Sequence, residues 1–115
     1  MTPTDYIVHI CPRTDWQQAQ KQGLYQAASL ETEGLIHCSR PDQAAAVANR
    51  FYANIPNLLL LWIDSQKVTA EIRWEMVDED EFPHIYGPLN IDAVAAACDF
   101  TPDDTGHYRT EMINL

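Results

Sequence analysis

Positive charge is scarce in this chain. Lysine and arginine together number 7 against 17 aspartates and glutamates, for a formal net charge of −10 at pH 7. A broad nucleic-acid surface needs clustered cations to displace phosphate counterions, and an anionic membrane surface attracts proteins through the same kind of cluster, so neither partner is expected. A small anionic ligand stays open, because one or two arginines or a few backbone N–H groups are enough to hold it. Cysteine is also sparse. Cys11, Cys38 and Cys98 are odd in number and form no Cys-x-x-Cys, which argues against a disulfide or zinc framework and for buried thiols in a reducing compartment. The longest apolar run, Leu58–Ile63, is far too short to cross a bilayer. Met1-Thr2-Pro3-Thr4-Asp5 carries no positive region followed by an apolar stretch, so no secretory leader is expected. The expectation is one domain covering residues 1–115, cytoplasmic, with a core of its own.

What is present alternates between strand and helix signals. Tyr6-Ile7-Val8-His9-Ile10-Cys11 is apolar and β-branched and predicts a first strand, ended by Pro12. His9 within it reads as a satisfied core or rim residue rather than a ligand. Thr14 is placed to cap a helix with Gln17 as its reciprocal partner, running to Gln22 and stopped by Gly23. Only Trp16 and Ala19 give that helix an apolar side. Leu24–Leu30 is ambiguous. Glu33–Ser39 predicts a second strand entered through Gly34, with Ile36 and Cys38 on the core face and His37 and Ser39 on the other. Ser39 then serves as N-cap for a helix with Pro41 and Asp42 in its first turn and a stripe of Ala44, Val47, Ala48, Phe51 and Tyr52.

Leu58–Ile63 predicts a strand buried on both faces. Ala70–Val77 alternates, placing Ile72, Trp74 and Met76 on one side and Glu71, Arg73 and Glu75 on the solvated side. Asp78–Glu81 reads as an acidic loop. Ile91–Phe100 predicts a short turn followed by a strand, and His107–Leu115 a terminal edge strand. Helices early and strands late give an α+β fold with a small mixed, largely antiparallel split sheet and two main helices.

The densest chemistry lies in Phe82-Pro83-His84-Ile85-Tyr86-Gly87-Pro88-Leu89-Asn90. Two prolines fix two φ angles and remove two donors, which predicts a stiff extended segment unsuited to the middle of a sheet. In extended backbone His84 and Tyr86 share a face, with Ile85 opposite.

Several words of the chain carry a resemblance. They are Trp16-x-x-Ala19-x-x-x-Gly23-x-Tyr25, Ser29-Leu30-x-x-Glu33-Gly34-Leu35-Ile36-His37-x-Ser39, Gln43, Ile63-Asp64, Trp74-Glu75 and Phe82-Pro83-His84-Ile85-Tyr86-Gly87-Pro88-Leu89. Together they resemble the bacterial domain of unknown function 952 family over nearly the whole chain. That resemblance implies a fold like that of ADP-ribosyltransferases, with a cleft for NAD. It places Gly34–Ser39 and the Gln43–Tyr52 helix where the transferases have their second strand and following helix. Glu75 is the nearest counterpart of the transferases' late catalytic glutamate, with His84 as a substitute.

Transfer from NAD breaks the bond between ribose and nicotinamide through a cationic sugar. It needs a group for the ribose hydroxyls, a flat ring against nicotinamide and a negative charge near the developing cation. His37, Glu75 and His84 are the candidate catalytic residues, and Tyr25, Ser39, Gln43 and Tyr86 the candidate ligand-binding residues. NAD is the expected substrate, within a small-molecule nucleotide class. A non-catalytic nucleotide or modified-nucleobase binding module is the alternative. A metal-assisted hydrolase is a third reading, weakened by the absence of any His-x-His or His-x-x-x-His pair, so no metal is expected. Removal of phosphate from RNA is disfavoured by the acidic balance. The whole reading requires that His37 and His84, far apart in the chain, line one hollow.

Overall fold

A computed structural model describes residues 6–113. The first five residues, on which the leader expectation falls, and the last two lie outside the described residues. No described helix is long and apolar enough to cross a membrane.

Strand β1 (Tyr6–Pro12) pairs antiparallel with β4 (Leu58–Asp64), and β4 pairs on its other side with β8 (Val94–Phe100). The six apolar residues Leu58–Ile63 are all buried, because both faces of this sheet are covered. Leu59, Leu61 and Ile63 pack with Ile7, Trp16, Tyr25 and Ile36; Leu58, Leu60 and Trp62 pack with Val8, Ala44, Ala48 and Phe100. The doubly buried strand is therefore the middle of an antiparallel sheet.

Helix α1 (Arg13–Gln22) buries Trp16 and Ala19, and Gly23 closes it at φ 86° with its N–H on the Ala19 carbonyl. Thr14 does not cap it. The strand runs directly into the helix at Pro12, and the Arg13 N–H donates to the Asn57 carbonyl at 2.9 Å. The ambiguous stretch divides into β2 (Leu24–Tyr25) and α2 (Ala28–Glu33). Gly34, expected to open a strand, instead ends α2 at φ 80°, a conformation that favours a residue without Cβ.

The expected second strand shortens to β3 (Ile36–His37). Beyond it Ser39 exchanges two backbone hydrogen bonds with Val8, both 2.8 Å. That pairing consumes the backbone of Ser39, which does not cap the next helix. Arg40 precedes a 3-10 turn, Pro41–Gln43, that leads into α3 (Ala44–Phe51). Ala44, Ala45 and Ala48 are buried, whereas Phe51, expected in the stripe, is 61% exposed. The buried side of this helix is made of three alanines, and the ring at its last position stays outside.

Strands β5 (Glu71–Val77) and β6 (Asp80–Tyr86) form a hairpin. The acidic loop contracts to Asp78 and Glu79, both at positive φ (52° and 70°), as the two-residue turn with the twist of the strands requires. The second sheet has the order β3–β6–β5, so the proline-bearing segment, expected to avoid the middle of a sheet, is its central strand. The Pro83 carbonyl accepts from the Cys38 N–H at 3.2 Å. In antiparallel backbone the nitrogen of a residue points to the same side as its carbonyl. The missing donor of Pro83 thus faces the short β3, and the ladder to β5 is complete. On the inner face of β5 only Ile72 reaches the core; Trp74 and Met76 are 44% and 67% exposed.

A two-residue strand, β7 (Leu89–Asn90), pairs with β2. A turn, Ile91–Ala93, precedes β8 as expected. The expected terminal strand is absent from the described part of His107–Leu115, which holds a 3-10 turn at Thr110–Met112. Every strand pair among the described residues is antiparallel.

Candidate functional site

The register of the second sheet builds the site. Ile36 pairs with Ile85 and His37 with His84; Ile72 pairs with Ile85 and Arg73 with His84. Alternation sends the isoleucines to the core and His37, His84, Arg73, Glu75 and Tyr86 to the outer face. The rings of His37 and His84 meet edge to face with centroids 5.2 Å apart. Glu75 Oε1 accepts from both His84 Nδ1 (2.7 Å) and the Tyr86 hydroxyl (2.6 Å). Of the three candidate catalytic residues, His84 touches both others, His37 on β3 and Glu75 on β5, and Tyr86 shares the Glu75 oxygen.

The electrostatics follow from these contacts. The Tyr86 hydroxyl first, and His84 second, hold the Glu75 carboxyl below its ordinary range, so it is ionised at neutral pH. The same bond to Glu75 pushes the Tyr86 phenol up. An ionised carboxylate only accepts, so His84 presents Nδ1–H to it and leaves Nε2 as the nitrogen available for acid–base work. Both donors use one oxygen of Glu75, and Oε2 takes no hydrogen bond from the described residues. The side chains of His37 and Glu75 are 52% and 36% exposed while that of His84 is 8% exposed. The arrangement is a shallow face with one imidazole sunk into it, open to water.

Two members of this face carry no candidate role in the sequence reading. Arg73 lies over the Tyr86 ring, 4.2 Å from its centroid, and its guanidinium also donates to Glu71. Alternation along β5 puts Arg73 beside Glu75, and that was the available signal. Glu33 accepts from His37 Nε2 at 3.1 Å. Glu33 closes α2 and His37 lies in β3, so the turn through Gly34, not a helical spacing, brings the two together.

The remaining candidates lie elsewhere. Tyr25 is buried in the core, 2% exposed, and its hydroxyl donates to His9 Nε2 at 2.8 Å. His9 Nδ1 donates in turn to the His37 carbonyl at 2.6 Å. A neutral chain, Tyr25 to His9 to the His37 backbone, therefore supports the site from beneath, and the core reading of His9 holds. Ser39 is buried beside it in the Val8 pairing. Gln43 is spent on structure: its oxygen accepts the Arg40 N–H, and its nitrogen donates to Asp80 and to the Glu81 carbonyl at 2.9 Å each. It borders a separate cleft of about 350 Å³ between α3 and the hairpin, lined by Phe51, Val77 and Phe82. No group of three or more metal-ligating side chains is assembled among the described residues.

Fold and face together define a small α+β protein whose second sheet carries a His–Glu–Tyr cluster on its outer side. Residues 10–97 match the family described as Protein of unknown function (DUF952), and the chain belongs to that family. It is similar to protein CC0527 from Caulobacter crescentus. The crystal structure of that protein is 28% identical, with a TM-score of 0.84, covering 93% of this chain and 96% of that one. Its solution NMR structure is 29% identical, with a TM-score of 0.78 over 91% and 92%. No curated protein matches the chain.

Proposed function

We propose that the outer face of β3–β6–β5 binds a nucleotide, NAD foremost, and that ADP-ribosyl transfer is the chemistry it is suited to. Glu75 carries the reading: an ionised carboxylate with an unused oxygen, held by the His84 imidazole and the Tyr86 phenol on one exposed face, with His37 beyond His84. Separating nicotinamide from ribose leaves positive charge on the sugar, and a fixed anion stabilises it. His37 reaches a ribose hydroxyl or a phosphate oxygen, and His84 Nε2 handles a proton. The Arg73–Tyr86 stack offers a flat cationic surface to an aromatic ring. The transferase-like fold that the family resemblance in the sequence implies would suit the same assignment.

The test is a titration with NAD and with ADP-ribose, following backbone amide shifts and nicotinamide release. Shifts centred on residues 37, 75, 84 and 86 are expected, together with release that Glu75→Gln abolishes while leaving binding in place. Silence at millimolar NAD removes the proposal. A binding module without chemistry is the second reading, favoured by the openness of the face, and binding without nicotinamide release selects it.

A further inference from the structure

We infer that the free edge of β5 is self-complementary, and that two copies of this chain join there into one continuous sheet. Among the described residues strand β5 is terminal in β3–β6–β5, and its pairing to β6 runs without a register shift. Edges are ordinarily blunted by charged side chains, proline or a bulge; Glu71–Val77 has no proline, lysine or bulge, and its charges Glu71, Arg73 and Glu75 are of both signs. The backbone groups that face outward follow from Pro83. Its carbonyl points to β3, so the Trp74–Pro83 pair exchanges no hydrogen bonds, and the N–H and C=O of Trp74 point away from β6. By alternation those of Ile72 and Met76 do the same.

A twofold axis through Trp74 sets Trp74 opposite Trp74, Ile72 opposite Met76, and Arg73 opposite Glu75 twice. The outward N–H and C=O groups then meet as hydrogen-bonded pairs. Arg73 and Glu75 fall in the non-bonded pairs, where side chains approach most closely. Shifting the axis by one residue in either direction, with the core faces kept on one side, sets Arg73 against Arg73 or Glu75 against Glu75. Charge therefore selects one register. The exposed Trp74 and Met76 cover one another across the axis, and the interface is isologous. The long edge strand β8 of the first sheet lacks this property, since its one charge, Asp99, is paired with Arg13. In the pair, Arg73 of the second copy comes beside Glu75 and supplies the site with a cation that a single copy holds only on its own strand.

The inference is independent of the nucleotide reading, and its test uses no nucleotide. Light scattering across micromolar to millimolar protein should reach twice 13.1 kDa, and the Trp74 amide should become protected from exchange over the same range. Arg73→Glu and Glu75→Arg should each weaken association about tenfold or more, because each sets like charges opposite one another twice. An equal mixture of the two variants should restore it, because every facing pair is then opposite in sign. A mass that stays at 13.1 kDa at millimolar protein overturns the proposal, as does a dimer in which the Trp74 amide exchanges freely. Wild-type mass and exchange decide the matter even where a variant fails to fold. Self-association without any NAD response, or the reverse, separates this inference from the proposed function.

Discussion

Lowering the pH from 7 to 5 should weaken the fold by about 2 kcal/mol through one side chain, His9. Burial drives its pKa from 6.5 down to about 4; the hydrogen bond to the His37 carbonyl opposes that shift, and the charge of nearby His37 adds to it. The folded protein thus binds this proton more weakly than the unfolded chain does. Stability from neutral His9 is intact above 6.5, declines as pH falls below that value, and is gone below 4. At about 1.4 kcal/mol per unit the full difference is roughly 3 kcal/mol, most of it spent by pH 5. The carboxyls of Glu75 and Asp80, held below their ordinary range, withdraw their contributions only at lower pH. Urea unfolding at the two pH values, followed by tryptophan fluorescence, measures the loss. His9→Asn keeps a donor for the His37 carbonyl and removes the titration. It should cost about 1–3 kcal/mol at pH 7, because the Tyr25 hydroxyl loses its acceptor, and should respond less to acid. An equal acid loss in wild type and His9→Asn would refute the assignment.

Gln43→Ala should destabilise the protein by about 2 kcal/mol in the same assay, since it strands the Arg40 N–H and takes a donor from Asp80 and from the Glu81 carbonyl, which keeps only the Arg40 guanidinium. Glu79→Gly should stabilise by roughly 0.5–1 kcal/mol by relieving a side chain held at φ 70°; a lower urea midpoint would count against the turn geometry. Gly87→Ala should cost about 1–3 kcal/mol, because φ is 155° and an added Cβ would lie 2.9 Å from the Cβ of Ala70. Thermal unfolding of that variant with an unchanged midpoint would show the Gly87–Ala70 approach to be slack.

Local pattern carried a large part of the fold. A β-branched run closed by proline gave β1, a thin stripe closed by glycine gave α1, and strict alternation gave β5. It failed where a longer-range partner decided the outcome. Gly34 suits a strand entrance and a helix end equally, and only α2 settles which it is. Pro83 looked incompatible with a central strand because sequence does not reveal that its bare nitrogen faces a two-residue neighbour. Ser39 has the chemistry of a cap, but Val8 takes its backbone. The candidate site was legible in the same uneven way. Alternation placed His84 with Tyr86, and Arg73 with Glu75. Tyr25 and Gln43 carried equally suitable chemistry and lie in the core and beside another cleft.

By itself the amino-acid order determined the acidic balance, the α+β alternation and the doubly buried fourth strand, because charge count, hydrophobic period and turn chemistry are properties of neighbours in the chain. Only the tertiary structure decided that His37 meets His84 and that Glu75 serves His84 and Tyr86 with one oxygen. Those contacts depend on cross-strand register, and register is settled when whole faces of the two sheets find the shared core.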